Sequence, residues 1–168
     1  MAGNVVVTVV KDRTISILAE YADAVQTAIG KAVLDIEGKA KENVTTHDAI
    51  DTGALRASIY SSSGGKSNFS SNMSEAHAAA LTVGKHSGRR NWGFALAEQP
   101  EVPTKKLEGI TGVGAEYGAN IEYGGMAKNP KQQKSTIVPA RPFLQPAADE
   151  VLAAFDQVVA NYINKELT

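Results

Sequence analysis

The chain reads as an α+β protein: a long N-terminal helix and a C-terminal helix packed on one side of a mainly antiparallel sheet, with long mobile loops. Three observations predict this. An apolar stripe at three- to four-residue spacing runs from Leu18 to Ala40, and a second runs from Val151 to Ile163. Between them lie short apolar segments, β-branched or glycine-bearing, separated by polar stretches. The stripes have the period of amphipathic helices, and short apolar runs bounded by turn residues have the character of strands. Helices layered on a sheet bury both kinds of apolar face. The 168 residues suit a single domain spanning 1–168.

Val5-Val6-Val7-Thr8-Val9-Val10 is rich in β-branched residues and predicts a strand, so residues 1–13 form an N-terminal strand or arm. Val5, Val7 and Val9 share one face of it by the two-residue period and are candidate inter-subunit contacts. Lys11-Asp12-Arg13 is a turn. Leu18, Tyr21, Val25, Ile29, Ala32, Val33, Ile36 and Ala40 then define the long helix, which runs to about Asn43. Within it Gly30 and Gly38 each cost about 1 kcal/mol relative to alanine, or permit a close contact.

Residues 43–50 are polar and predict a loop. In Asp51-Thr52-Gly53-Ala54-Leu55-Arg56, Asp51 or Thr52 is placed to cap a short helical turn. Ala57 to Tyr60 then reads as extended. Residues 61–77 begin with a Ser-, Gly- and Asn-rich stretch almost without apolar anchors, which predicts a mobile loop. Ala79 to Gly84 is a candidate strand. Residues 85–108 are read as a second mobile loop, basic at first and proline-bearing later. Gly109 to Gly114 predicts a strand loosened by its glycines. Tyr117 to Gly125 alternates aromatic, small and acidic residues, and 126–136 is a third polar, mobile loop. The last helix is expected from Pro146, a good first-turn residue, with Asp149 and Glu150 following.

Composition narrows the function classes. The formal net charge of -1 argues for neither nucleic acid nor membrane as a bulk partner. Cysteine is absent, which removes disulfides, thiolate nucleophiles and cysteine metal sites and suits a reducing cytoplasm. No apolar run approaches the roughly 20 residues a membrane helix needs, and the Val5–Val10 run is too short for a signal-peptide core. A soluble protein is expected. His47, His77 and His86 show no metal-ligand spacing, and the glycines at 109, 112 and 114 form no dinucleotide fingerprint. No catalytic residue, cofactor or metal is expected.

Two segments carry alternative chemistry. Asp51-Thr52-Gly53 matches the loop of retroviral-type aspartic proteases, in which two carboxylates from a dimer share a proton across the attacking water. Here the motif follows a long helix and a polar loop instead of an apolar strand, so a capped turn explains it better. Arg89 and Arg90, with Lys85, His86 and Trp92 nearby, form a basic run able to neutralise phosphates and stack on a base, as a small nucleic-acid-binding module would. The plainer reading is a solvated loop, or a contact with an acidic neighbour in an assembly, which makes Arg89, Arg90 and Trp92 candidate inter-subunit contacts. Asn43, Asn68 and Asn72 open glycosylation-type sequons that the absence of a signal peptide makes accidental.

Asp51-Thr52-Gly53-Ala54-Leu55-Arg56-Ala57-Ser58-Ile59 resembles the Asp-Thr-Gly-x-Leu-x-x-Ser-Ile segment of a tailed-bacteriophage neck family, described as head–tail connector, tail-completion or minor tail component. Pro139-Ala140-Arg141-Pro142-Phe143-Leu144-Gln145-Pro146-Ala147 is similar to its second signature, which precedes a terminal helix. Between them, Tyr117-Gly118-Ala119-Asn120-Ile121-Glu122-Tyr123-Gly124 looks like its Tyr-Ala-x-x-Val-Glu-x-Gly-Thr element, with Gly118 in place of alanine and Gly125 in place of threonine. The match spans roughly 16–165, with gaps. The Val5–Val10 strand and the length of 61–107 depart from the pattern.

The resemblance implies a virion structural protein that is not an enzyme, made in the host bacterial cytoplasm and placed at the head–tail junction. Its implied partners are itself in a cyclic ring of six or twelve subunits, head-completion or connector proteins, and tail-terminator or tail-tube proteins. Phage DNA would pass through the channel without sequence-specific binding, and no membrane is involved. The motif residues have architectural roles: Pro139, Pro142 and Pro146 stiffen the entry to the final helix, Phe143 and Leu144 anchor it, and Glu122 is a candidate partner for Arg56 or Arg141.

Overall fold

A computed structural model describes residues 14–47, 53–82, 96, 98–129 and 134–166. The architecture is mixed helix and sheet, as expected: a long N-terminal helix and C-terminal helices packed against a small antiparallel sheet. Helix α1 spans Thr14–Thr46. It runs three residues past the predicted end, because Val44 belongs to the stripe and is fully buried. The buried line along α1 is built largely of small residues, Ala24, Ala28, Ala32 and Ala40, with Val33 and Ile36. Small side chains let neighbouring elements approach the helix backbone closely. Gly30 is one such place, where an added Cβ would lie 3.7 Å from Ser63 Oγ, whereas Gly38 faces open space.

After the short helix α2, Ala54–Ala57, the chain forms strand β1, Ile59–Ser63, and turns through Gly64 and Gly65 into β2, Lys66–Ser67. Both turn glycines have positive φ, 57° and 75°, as a type I′ turn in a two-residue β-hairpin requires. Helix α3, Phe69–Ala80, follows, and later β3, Gly109–Val113. The sheet order is β2-β1-β3, antiparallel throughout, with Ile59 opposite Val113, Tyr60 opposite Gly112 and Ser61 opposite Thr111. Alternation sorts the two faces. Ile59 packs with Ile36, Ala40 and Val44 of α1, and Ser61, Ser63 and Thr111 hydrogen-bond to groups of the same helix. Tyr60 points the other way, meeting Phe69 edge-on at 5.0 Å between ring centroids, with Met73 beside them. Gly112 lies under that ring; a Cβ there would come within 2.7 Å of it.

Two expectations for the middle of the chain are corrected. Residues 61–77 are not a mobile loop: they hold the end of β1, the hairpin and most of α3. Phe69, Met73, Ala76 and Ala80 recur at helical spacing and are buried, so tertiary packing orders a segment whose serines and asparagines suggested a loop. Ala79 to Gly84 is not a strand in its described part, since α3 runs to Ala80 and Leu81 and Thr82 close it with turn hydrogen bonds. Tyr117 to Gly125 contains helix α4, Gly118–Tyr123.

The described parts of 126–136, residues 126–129 and 134–136, are also corrected, from loop to paired strands. β4, Gly125–Asn129, pairs antiparallel with β5, Lys134–Val138, in register from Gly125–Val138 to Asn129–Lys134. Backbone pairing joins these strands, and Met126 and Ile137, opposite each other, are both exposed. The stretch 98–108 forms no regular element, as expected. The C-terminal stripe becomes two helices, α5, Leu144–Ala153, and α6, Phe155–Glu166, joined at Ala154, whose N–H donates to Val151 O. Both pack along α1, and Lys39 of α1 pairs with Glu150 of α5. Among the described residues no helix is long and apolar enough to cross a membrane.

Candidate functional site

Two of the motif segments, distant in sequence, meet around one buried carboxylate, and the third joins them through the core. Glu122 lies on α4 and is 6% exposed. Its Oε2 accepts from the N–H groups of Phe143 at 2.7 Å and Leu144 at 2.9 Å, and Oε1 accepts from the N–H of Gln145 at 2.9 Å. These N–H groups open α5 and have no partner within the helix. The next residue is Pro146, which has no N–H to satisfy. Glu122 and Pro146 together therefore account for every orphan donor of the first turn. The carboxylate's negative charge also sits at the positive end of the helix dipole. Phe143, the N-cap residue, makes no side-chain cap of its own. Glu122 thus takes three ligands from backbone N–H groups.

The loop between α4 and α5 is drawn in by backbone contacts. Arg141 N–H donates to Ile121 O at 2.7 Å. Gly124 has φ 70° and ψ -174°, and a Cβ there would lie 2.8 Å from Ala140 N and 2.9 Å from Val138 O. Only glycine fits both that conformation and that approach. Phe143 is 1% exposed in the main core, beside Leu55, Ile59 and Ala147. Its carbonyl accepts from Asn43 Nδ2 at 3.0 Å, tying it to the end of α1. Leu144 and Tyr117 pack on the same core. Pro139, Arg141, Pro142 and Pro146 are exposed.

The first motif enters the same core. Gly53 is the N-cap of α2 with φ 86°. Leu55 is buried while Arg56 is exposed. The Ser58 hydroxyl is fully buried; it donates to Leu55 O at 2.8 Å and accepts from Ala115 N–H at 3.2 Å, while Ser58 O accepts from Gly114 N–H at 2.9 Å. Ser58 therefore splices α2 to the chain that leads into α4. Asp51, Thr52, Val5, Val7, Val9, Arg89, Arg90 and Trp92 lie outside the described residues, and with them the expected cap, the protease-like carboxylate and the basic run.

A second polar cluster escaped the sequence reading. Glu37 of α1, 6% exposed, accepts from Lys41 Nζ at 2.7 Å, Ser61 Oγ at 2.7 Å, Asn68 Nδ2 at 2.7 Å and Asn72 Nδ2 at 3.0 Å. Burial pushes the Glu37 carboxyl up, but the hydrogen bonds from Lys41, Ser61, Asn68 and Asn72 outweigh it and hold the group below its ordinary value. Asn68 and Asn72 also serve the edge of β1 not paired to β3. Asn68 Oδ1 accepts from Ser61 N–H at 2.8 Å, and Asn72 Nδ2 donates to Ile59 O at 2.6 Å. Helix α3 thus covers the strand edge with side-chain amides where a neighbouring strand would otherwise pair. The signal was present in the sequence: Glu37 stands between Val33 and Ala40 on the apolar stripe, where a charge needs partners.

Chemically, both clusters are saturated. The carboxylates and the serine are engaged by backbone, amide, hydroxyl and ammonium donors, an arrangement that holds elements in register. Among the described residues, no group of three or more His, Cys, Asp or Glu side chains is placed to hold a metal. Compared with family models, curated proteins and solved structures, the chain has no match.

Proposed function

We propose that this chain is a virion structural protein of a tailed-bacteriophage neck, forming a ring that connects the head to the tail and completes the tail for head–tail joining. The observation that carries the reading is the convergence of the three motif segments on one scaffold. Ser58, Glu122, Gly124 and Phe143, each at a motif position, are the residues whose hydrogen bonds, backbone conformation and burial lock α2, α4 and α5 together. A motif made of such residues specifies a shape, which is what a ring subunit contributes. The mechanism is complementary surface without turnover: a heterologous interface repeated at a fixed rotation closes into a ring of six or twelve copies. The ring's neighbours are connector or head-completion proteins on one side and tail-terminator or tail-tube proteins on the other. DNA crosses the channel without sequence-specific contact.

The test is disruption of the gene in the phage that encodes it. The expected outcome is filled heads and finished tails that fail to join, with joining restored when the chain is supplied in trans. Imaging of intact particles should then place the labelled chain in a ring at the neck. Joined, infectious particles lacking the chain would overturn the proposal.

A further inference from the structure

A groove on the α1 side of the sheet has the form of an acceptor for one more strand. Among the described residues β3 pairs only with β1 as a strand, no described residue pairs along its other edge, and Leu96 bridges Ala115 just beyond its end. Beside that edge lies a groove of about 520 Å³. Its floor is Ile29, Val33 and Ile36 of α1, and its far wall is Leu144, Ala148 and Leu152 of α5. Leu107 and Leu152 at its rim are 46% and 55% exposed, large apolar side chains facing solvent in the isolated chain. An open strand edge over an apolar floor is the arrangement that takes an added strand, whose backbone completes the ladder and whose side chains fill the floor.

The chain carries a segment of matching chemistry. Val5-Val6-Val7-Thr8-Val9-Val10 is β-branched throughout, and its alternating face Val5, Val7 and Val9 is wholly apolar. Its own groove is nearly out of reach. Along α1 the floor begins at Ile29, about 22 Å above Thr14 at 1.5 Å per residue, and extends to Ile36, about 33 Å above it. The three residues between Val10 and Thr14 span about 14 Å at full stretch, and Val5 lies about 17 Å beyond Val10. Only the first residues of the segment arrive at their own groove, and only if the chain makes no turn on its way into α1. A neighbouring copy has no such tether.

We infer that the Val5–Val10 segment of one copy docks as a strand along the outer edge of β3 in the α1–α5 groove of the next copy. The inference rests on the proposed self-association and names the contact that carries it. A head-to-tail contact of this kind is heterologous, so it propagates around a ring.

The full chain has no cysteine, which makes directed cross-linking clean. One batch carries Val7→Cys; a second, with a different tag, carries Leu107→Cys or Leu152→Cys, and a control carries Lys66→Cys on the exposed β2. Mixed under mild oxidation at concentrations where the wild-type chain associates, Val7→Cys should link to the groove cysteines at least tenfold more than to the control. Equal linkage to groove and control overturns the inference. So does a disulfide formed within one chain by the Val7→Cys/Leu107→Cys double variant at high dilution, since that puts the segment in its own groove. In parallel, Val7→Asp/Val9→Asp should fold with unchanged helicity but associate at least tenfold more weakly by sedimentation. Undiminished rings in that variant would overturn the strand contact and leave the neck reading intact. A wild-type chain that is monomeric both in solution and in the virion would overturn both.

Discussion

The carboxylate of Glu122 stands where three amide N–H groups converge, and its replacement separates charge from shape. Glu122→Ala leaves the N–H groups of Phe143, Leu144 and Gln145 buried or half-buried without an acceptor. Loss of a helix cap costs about 1 kcal/mol, and each stranded buried donor about 1–3 kcal/mol. A destabilisation of about 3 kcal/mol is expected in urea unfolding. Glu122→Gln keeps an acceptor oxygen but loses the charge facing the helix terminus and one of the two acceptors, so about half that loss is expected. Equal losses for the two variants would mean that the charge and the second acceptor oxygen, which both variants lack, and not the shape that glutamine keeps, are what Glu122 supplies. Arg56 is exposed, so Arg56→Ala should fall within about 0.5 kcal/mol of wild type.

At the scale of elements, α1 is the spine, and its two glycines differ in role. Gly30 sits against β1, while Gly38 is exposed with nothing within 4 Å of an added Cβ. Gly38→Ala should therefore stabilise the protein by about 1 kcal/mol, a rise in Tm of about 2–4 °C by thermal unfolding. Gly30→Ala lacks that free space and should gain less. Elements such as α1 and β3 were legible because apolar periodicity is a local signal: Val33, Ile36 and Ala40 announce a helix wherever they stand. Helix α3 was not, because Ser70, Ser71, Asn72 and Ser74 have loop composition, and what orders them is the burial of Phe69 and Met73 against Tyr60, remote in sequence. The β4–β5 pair hid for a similar reason, since its order comes from backbone pairing that polar side chains do not advertise. The motif residues at the candidate site were all visible as separate segments. Their junction was not, since the partners of Glu122 are main-chain N–H groups, and those carry no residue-type signature.

For the whole molecule, Glu37 is the point at which the three structural layers are joined. It lies on α1, reaches β1 through Ser61 and reaches α3 through Asn68 and Asn72. Its acidity couples that junction to pH. Because the folded-state group titrates below its ordinary value, the folded state binds fewer protons than the unfolded chain in the acid range. The stability this contributes is fully present above the ordinary glutamate value of about 4.3 and is lost as pH falls through the lower folded-state value. Glu37→Gln keeps the volume but removes the titration, and its N–H₂ takes the place of one carboxylate oxygen, where it faces the Nδ2 donor of either Asn68 or Asn72. The variant should be less stable at neutral pH. Its stability should also fall less steeply than wild type as pH drops from about 5 to about 2. Urea midpoints measured across that range would show the two curves converging at acid pH. Parallel curves would mean that other carboxylates carry the acid response and that Glu37 acts through its hydrogen-bond geometry alone.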